Sequence, residues 1–329
     1  MGSNLLEIHN LHTHFVTERG VIPAVDGVDL IIRKGEIVGV VGESGCGKSV
    51  TSLSVMRLLP QPPGKYAGGE IRFKGEELIK AREKRMKQIR GNEISMIFQE
   101  PMTSLNPLLT IGEQIIETLR VHMPIGKKDA TNRAIEMLKK VGIARAESIV
   151  RSYPHQLSGG MRQRVMIAIA LCCEPELLIA DEPTTALDVT IQAQILDLMK
   201  KLNRDMGTAI MMITHDLGVV AEICERVVVM YAGKVVEEGA VRDIFANPRH
   251  PYTQGLIRSI PKMDEEQSRL YSIPGQVPKP GSITEGCRFA PRCEHVMDIC
   301  KSKLPELISG ANPAHRSRCW LNTTQEVAN

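Results

Sequence analysis

The segment Gly42-Glu43-Ser44-Gly45-Cys46-Gly47-Lys48-Ser49 fits the pattern G-x-x-x-x-G-K-[ST] and does most to limit what this chain can be. The apolar run Ile37 to Val41 before it predicts a buried strand, and Val50 to Leu59 after it predicts a helix. Strand, glycine loop and helix form the setting in which this pattern holds nucleotide phosphates. Glycines let successive backbone N–H groups turn inward, and the positive end of the helix adds to the attraction. The expected cradle comprises the backbone from Gly42 through Ser44, Gly45, Cys46, Gly47 and Lys48 to Ser49 and Val50. Lys48 supplies a charge at the β- and γ-phosphates, and Ser49 a hydroxyl for Mg2+. A nucleoside triphosphate is the expected ligand.

Composition narrows the class. With 329 residues, 43% of them hydrophobic, the chain can bury one large core and carry an appendage. Lys and Arg number 41 against 38 for Asp and Glu, a net charge of +3, which gives no sign of a nucleic-acid surface. Aromatics at 3% leave few platforms on which bases could stack. No apolar stretch reaches the ~18–20 residues of a spanning helix, and no secretory signal or myristoylation pattern opens the chain. A soluble, intracellular protein is expected.

Apolar runs alternate with helical patterns, as in an α/β core with a mainly parallel sheet. Leu177 to Ala180 and Ala209 to Ile213 read as buried strands, and Val227 to Tyr231 with Lys234 to Glu238 reads as a hairpin around Ala232-Gly233. From about Pro101 the texture turns helical: Ile135, Leu138 and Val141 share a face, and Gly142 suits a C-cap. That stretch is expected to be an inserted helical subdomain, about residues 101–160. Beyond about Asn247 prolines become frequent, so a first domain is expected over 1–246 and an extension over 247–329.

Three further motifs refine the picture. Asp181-Glu182 follows an apolar strand, where the aspartate can hold magnesium through water and the next acid can polarise an attacking water. An acid pair at a strand end is common, so this alone is weak. Leu157-Ser158-Gly159-Gly160-Met161 opens a long helix expected to be amphipathic; Ser158 can cap it, and the glycines leave its amides open to a phosphate. His215 ends another strand, placed to touch a γ-phosphate, although a lone histidine is more often structural.

In this order the motifs resemble the ATP-binding subunits of ATP-binding-cassette transporters, from about Leu5 to Phe245. The resemblance implies a P-loop NTPase core, RecA-like, with a mostly parallel sheet, an antiparallel β portion and ATP as the nucleotide. It implies that Gln99 ligates magnesium and senses a membrane partner, and that Glu182 is the general base. Ser158 and Gly160 would bind the γ-phosphate of ATP held by the opposite subunit. Asp188, in the segment Ala186-Leu187-Asp188, would link the two sites, His215 would stabilise the γ-phosphate, and Phe15 would stack on adenine. Met161 departs from the glutamine common at that signature position.

Three segments, Val41 to Gly45, Phe98 to Pro107 and Asn247 to Thr253, are similar to the oligopeptide/dipeptide import branch, and Val50 to Leu53 to its D-type subunit. That branch implies two integral-membrane permease subunits, a second, homologous ATP-binding subunit forming a heterodimer, and an extracytoplasmic solute-binding protein. It places the chain peripherally at the cytoplasmic face of the cell membrane. Cargo stays open among dipeptide, oligopeptide, nickel and other small solutes. Two non-transport readings are weaker: a soluble ATPase of repair or translation, against which stand the single cassette and the lack of a coiled-coil arm or basic tail, and a cluster-assembly ATPase, suggested only by the cysteines of the extension.

Of eight cysteines, Cys287, Cys293, Cys300 and Cys319 gather in the extension with spacing C-x5-C-x6-C-x18-C. Clustered thiols in a reducing compartment suggest metal rather than disulfides, but zinc sites usually show closer pairs. A cluster tolerates wider spacing, and the import branch implies a [4Fe–4S] centre here; zinc and unligated thiols remain alternatives. The extension is thus expected to bind metal, the cluster stapling a proline-rich lobe that lacks its own core. Lys80, Arg82, Lys84, Arg85, Lys87 and Arg90 read first as a solvated helix face.

Overall fold

The computed structural model describes residues 3–18, 20–99, 104–185, 187–261 and 271–325. Glu100 to Thr103 and Ala186, which carry parts of two expected motifs, lie outside the described residues. The chain divides into two compact units, one of residues 1–5, 32–37 and 80–213, the other of 6–31, 38–79 and 214–329.

In the first unit, strands Ile94–Ile97, Leu177–Asp181 and Ala209–Thr214 run parallel, with Ile94 opposite Leu177 and Leu177 opposite Ala209. Every residue of Leu177–Asp181 and Ala209–Thr214 is buried, which is why both read as unbroken apolar runs. Helix Ile111–His122 starts with a reciprocal Thr110–Glu113 capping box. Lys127–Lys140 buries Ala130, Ala134, Met137 and Leu138, and Gly142 beyond it takes φ 77°. Gly159–Leu171 is buried on most sides rather than amphipathic: Gln163, Val165, Met166, Ile167, Ala168, Ala170 and Leu171 are all enclosed. The basic run becomes helix Glu83–Ile89, with Met86 and Ile89 buried and Arg85 and Arg90 paired to Glu93 and Glu83.

In the second unit, an antiparallel sheet orders Gly20–Arg33, Asn4–Thr17, Gly64–Phe73 and Glu76–Glu77. Strand Ile37–Val41 pairs in parallel with Arg226–Tyr231, which forms the expected hairpin with Lys234–Ala240. Helix Lys48–Met56 stops three residues before the expected Leu59, because Arg57 takes the left-handed φ of 50°.

The extension is fastened without a staple. Its strand Arg316–Ser317 pairs with Glu237 and Glu238 of the hairpin. Glu237, fully buried, accepts hydrogen bonds from the backbone N–H of Arg249 (2.6 Å) and His250 (2.9 Å), and its carboxylate lies 2.7 Å from His315 Nε2. Phe289 packs edge-on to Tyr231, centroids 5.2 Å apart, and 5.4 Å from Tyr252. The proline-rich segment therefore borrows a core from the hairpin.

This packing sets a pH dependence. His250 is 1% exposed, and burial pushes its pKa down to about 4 from 6.5, against the pull of Glu237. The unfolded histidine takes its proton near pH 6.5 and the folded one only near 4, so stability is intact above 6.5 and drains as pH falls between them. The loss should reach about 3 kcal/mol. Denaturant unfolding at pH 7 and pH 4 should show it, and His250→Asn should flatten the slope.

Candidate functional site

The loop after Ile37–Val41 is built for a bound anion. Gly42, Gly45 and Gly47 hold φ of 154°, 80° and 104°. A Cβ on Gly42 would lie 2.2 Å from the Met230 carbonyl oxygen, and one on Gly47 2.6 Å from that of Ala24. Only glycine passes at those two points. The loop is tied to the hairpin turn, where Gly233 N–H donates to the Cys46 carbonyl at 2.8 Å. Lys48 Nζ donates to the carbonyls of Gly42 (2.6 Å) and Glu43 (3.1 Å), folding the ammonium over the loop. No side chain caps helix Lys48–Met56, so its first-turn N–H groups are not taken up by a capping residue. The cradle, its charge and the helix terminus fit nucleotide phosphates, and the Ser49 hydroxyl on that helix suits a magnesium ion.

Cys46 is fully buried within the loop, and burial pushes its thiol up. Thr13 Oγ1 sits 3.0 Å from Ser54 Oγ on helix Lys48–Met56. Phe15, two residues on, shares that face of its strand and is half-buried. His215 lies exposed between strand Ala209–Thr214 and helix Leu217–Ile223, which Asp216 caps through Gly218 N–H at 2.7 Å.

The first unit gathers the carboxylates. Asp181 ends its strand 4% exposed, and Glu182 follows with a left-handed φ of 48°. Such a conformation is uncommon outside glycine and costs ~1 kcal/mol or more. Glu182 N–H donates to the Ile213 carbonyl at 2.8 Å, holding the turn in place. Its carboxylate accepts from Gln99 Nε2 (3.2 Å) and Thr185 Oγ1 (2.9 Å). Gln99 and Glu182 are thus brought together. Thr185 was not foreseen, because a hydroxyl three residues on carries no motif of its own.

Ser158 caps helix Gly159–Leu171, accepting from Met161 N–H at 3.4 Å, and Asp188 caps Val189–Met206 through Ile191 N–H at 2.9 Å. The two caps neighbour each other: a Cβ on Gly160 would lie 3.0 Å from Ile191 Cγ2. Gln163, fully buried on the same helix, donates to the Pro183 carbonyl beside Glu182.

The tail cysteines do not bear out the expected iron–sulfur centre. Among the described residues, the one group of three or more ligating side chains within 4.8 Å of one another is His12, His14 and Asp26, and the tail thiols form no such group. Even there, Asp26 already faces Lys234 Nζ at 3.1 Å. Burial raises the thiols of Cys287 and Cys293 and pushes that of Cys319 up to about 12. The extension is held by its packing on the hairpin, as described above, and no cluster appears in the names of the relatives given below.

Those comparisons follow. Residues 25–185 match the family model described as ABC transporter, and residues 236–300 that described as oligopeptide/dipeptide transporter, C-terminal region. The oligopeptide transport ATP-binding protein AppD of Bacillus subtilis is 57% identical over 97% of this chain and 97% of its own length. The dipeptide transport ATP-binding protein DppD of the same organism is 50% identical over 96% of this chain and 94% of its own. Among solved structures, a dimeric ATP-binding cassette in a post-hydrolysis state with ADP and Pi is 31% identical, with a TM-score of 0.65 over 72% of this chain and 99% of that one.

Proposed function

The chain belongs to the ABC transporter family, and on that premise we propose that it is the ATP-hydrolysing subunit of a membrane importer for di- and oligopeptides. The peptide cargo rests on the names of AppD and DppD and on the matched C-terminal region. The observation that carries hydrolysis is the Glu182 carboxylate, held by Gln99 and Thr185 at a strand end.

Each residue then has a task. Backbone amides from Gly42 to Val50 and the Lys48 ammonium bind the phosphates, and Phe15 stacks on the base. Ser49, Gln99 and, through water, Asp181 would hold magnesium, which when bound would supply positive charge for the phosphate oxygens. Glu182 takes the proton of the attacking water, His215 donates to the γ-phosphate, and Asp188 connects paired sites. Ser158 and Gly160 serve the ATP of the opposite subunit, in keeping with the dimeric cassette that shares this fold.

A heterodimer with a second, homologous ATP-binding subunit therefore makes the complete sites. The helices within about 101–160 form the arm that meets two permease subunits at the inner membrane face, and an external solute-binding protein delivers the peptide. The domain division at residue 246 separates the cassette from its tail.

Fractionation tests the assembly. Expressed alone, the chain should stay out of the membrane fraction and hydrolyse ATP feebly; with its sister subunit and permeases it should move there and gain peptide-stimulated activity. Brisk hydrolysis by dilute, isolated chain would count against it.

A further inference from the structure

Glu43, the second residue of the phosphate loop, is joined to Lys48 within the loop by one of its groups and to the C-terminal region by two others. Its carbonyl accepts from Lys48 Nζ at 3.1 Å. Its N–H donates to the hydroxyl of Tyr252, a fully buried side chain, at 2.8 Å. Its carboxylate takes a two-pronged grip from Arg292, at 2.7 and 3.1 Å. The Arg292 side chain is only 4% exposed. Its Nε donates to the Pro274 carbonyl at 2.8 Å, and its remaining contacts reach the Ile273 carbonyl and the Tyr231 hydroxyl, each at 3.3 Å. The guanidinium also lies 5.8 Å from the Tyr231 ring centre and 5.9 Å from that of Phe289. A planar fork fixed on every side is a rigid support, unlike a surface ion pair that can swing free.

We propose that Arg292 is a positioning residue for nucleotide binding, by which the C-terminal region sets, through Glu43, the shape of the phosphate loop and the place of Lys48. The tail then governs ATP affinity without touching ATP. Coupling of this kind is reciprocal, so nucleotide in the loop must also steady the tail. The inference rests on the reading of the loop as the ATP site.

The test uses the full chain and Mg-ATP. Glu43→Gln weakens the grip while leaving the bonds of Arg292 to Pro274, Ile273 and Tyr231 in place, so the tail keeps its packing. Glu43→Gln and Arg292→Ala should each raise the Kd for ATP about tenfold, as loss of a charge-assisted bond to the loop implies. The double variant should be no worse than Arg292→Ala, because both remove one linkage. Arg292→Lys, keeping charge but losing the fork, should fall between. In the wild type ATP should slow amide exchange across 287–300, and in Glu43→Gln it should not. A Kd within twofold of wild type in Glu43→Gln, losses that multiply in the double variant, or exchange indifferent to ATP would each overturn the proposal. A wild-type chain that binds no ATP would instead remove the reading of the loop, and this inference with it.

Discussion

Glu182→Gln should keep ATP binding and lose turnover in the assembled complex by ~10²–10⁴-fold, the usual worth of a general base. The geometry makes the substitution clean. A glutamine oxygen at the same place still accepts from Gln99 and Thr185, now at 3.2 and 2.9 Å from the carboxylate. It also inherits the left-handed backbone, φ 48°, and the N–H bond to the Ile213 carbonyl. What disappears is the carboxylate's charge and, with it, the capacity to accept a proton. A nucleotide-loaded dimer should accumulate, visible as a shift in size on chromatography with ATP. Hydrolysis near wild-type rates would show that another group takes the proton.

Lys48→Ala should act earlier, on binding itself. The ammonium bonds to the carbonyls of Gly42 and Glu43, so its loss removes both a charge for the phosphates and a pin across the loop. A fall in ATP affinity of about 10²-fold is expected, on the scale of a lost charge-assisted hydrogen bond. Thermal unfolding should change little without nucleotide, because the glycine contacts and the Cys46 carbonyl bond to Gly233 persist. Unchanged affinity would remove Lys48 from the site.

The nucleotide loop was open to view in the sequence because its chemistry is local: three glycines, a lysine and a serine lie within eight residues, between an apolar run and a helix. The same holds for Ser158, whose capping role needs only the next turn of chain; the cap made by Asp188 is equally local but was not foreseen. What escaped was long-range. Glu237 stands in a strand beside Glu238 with no motif around it, and it is fully buried because the tail closes over it. The Glu43–Arg292 pair spans 249 positions, and no pattern of spacing announces it. The four tail cysteines misled for the opposite reason. Their grouping suggested a metal, whereas strand pairing, Glu237 and the Tyr231–Phe289 contact already hold that segment. The helix Gly159–Leu171 was expected to be amphipathic, but its polar Gln163 is turned inward to the Pro183 carbonyl.

The most direct measurement is ATP-driven uptake of a labelled peptide into vesicles carrying the permeases, the sister ATPase and this chain. Uptake should require ATP and the solute-binding protein, and should fall to background with Glu182→Gln. Peptide uptake that proceeds undiminished with Glu182→Gln, or a reconstituted complex whose ATP hydrolysis ignores peptide, would contradict it.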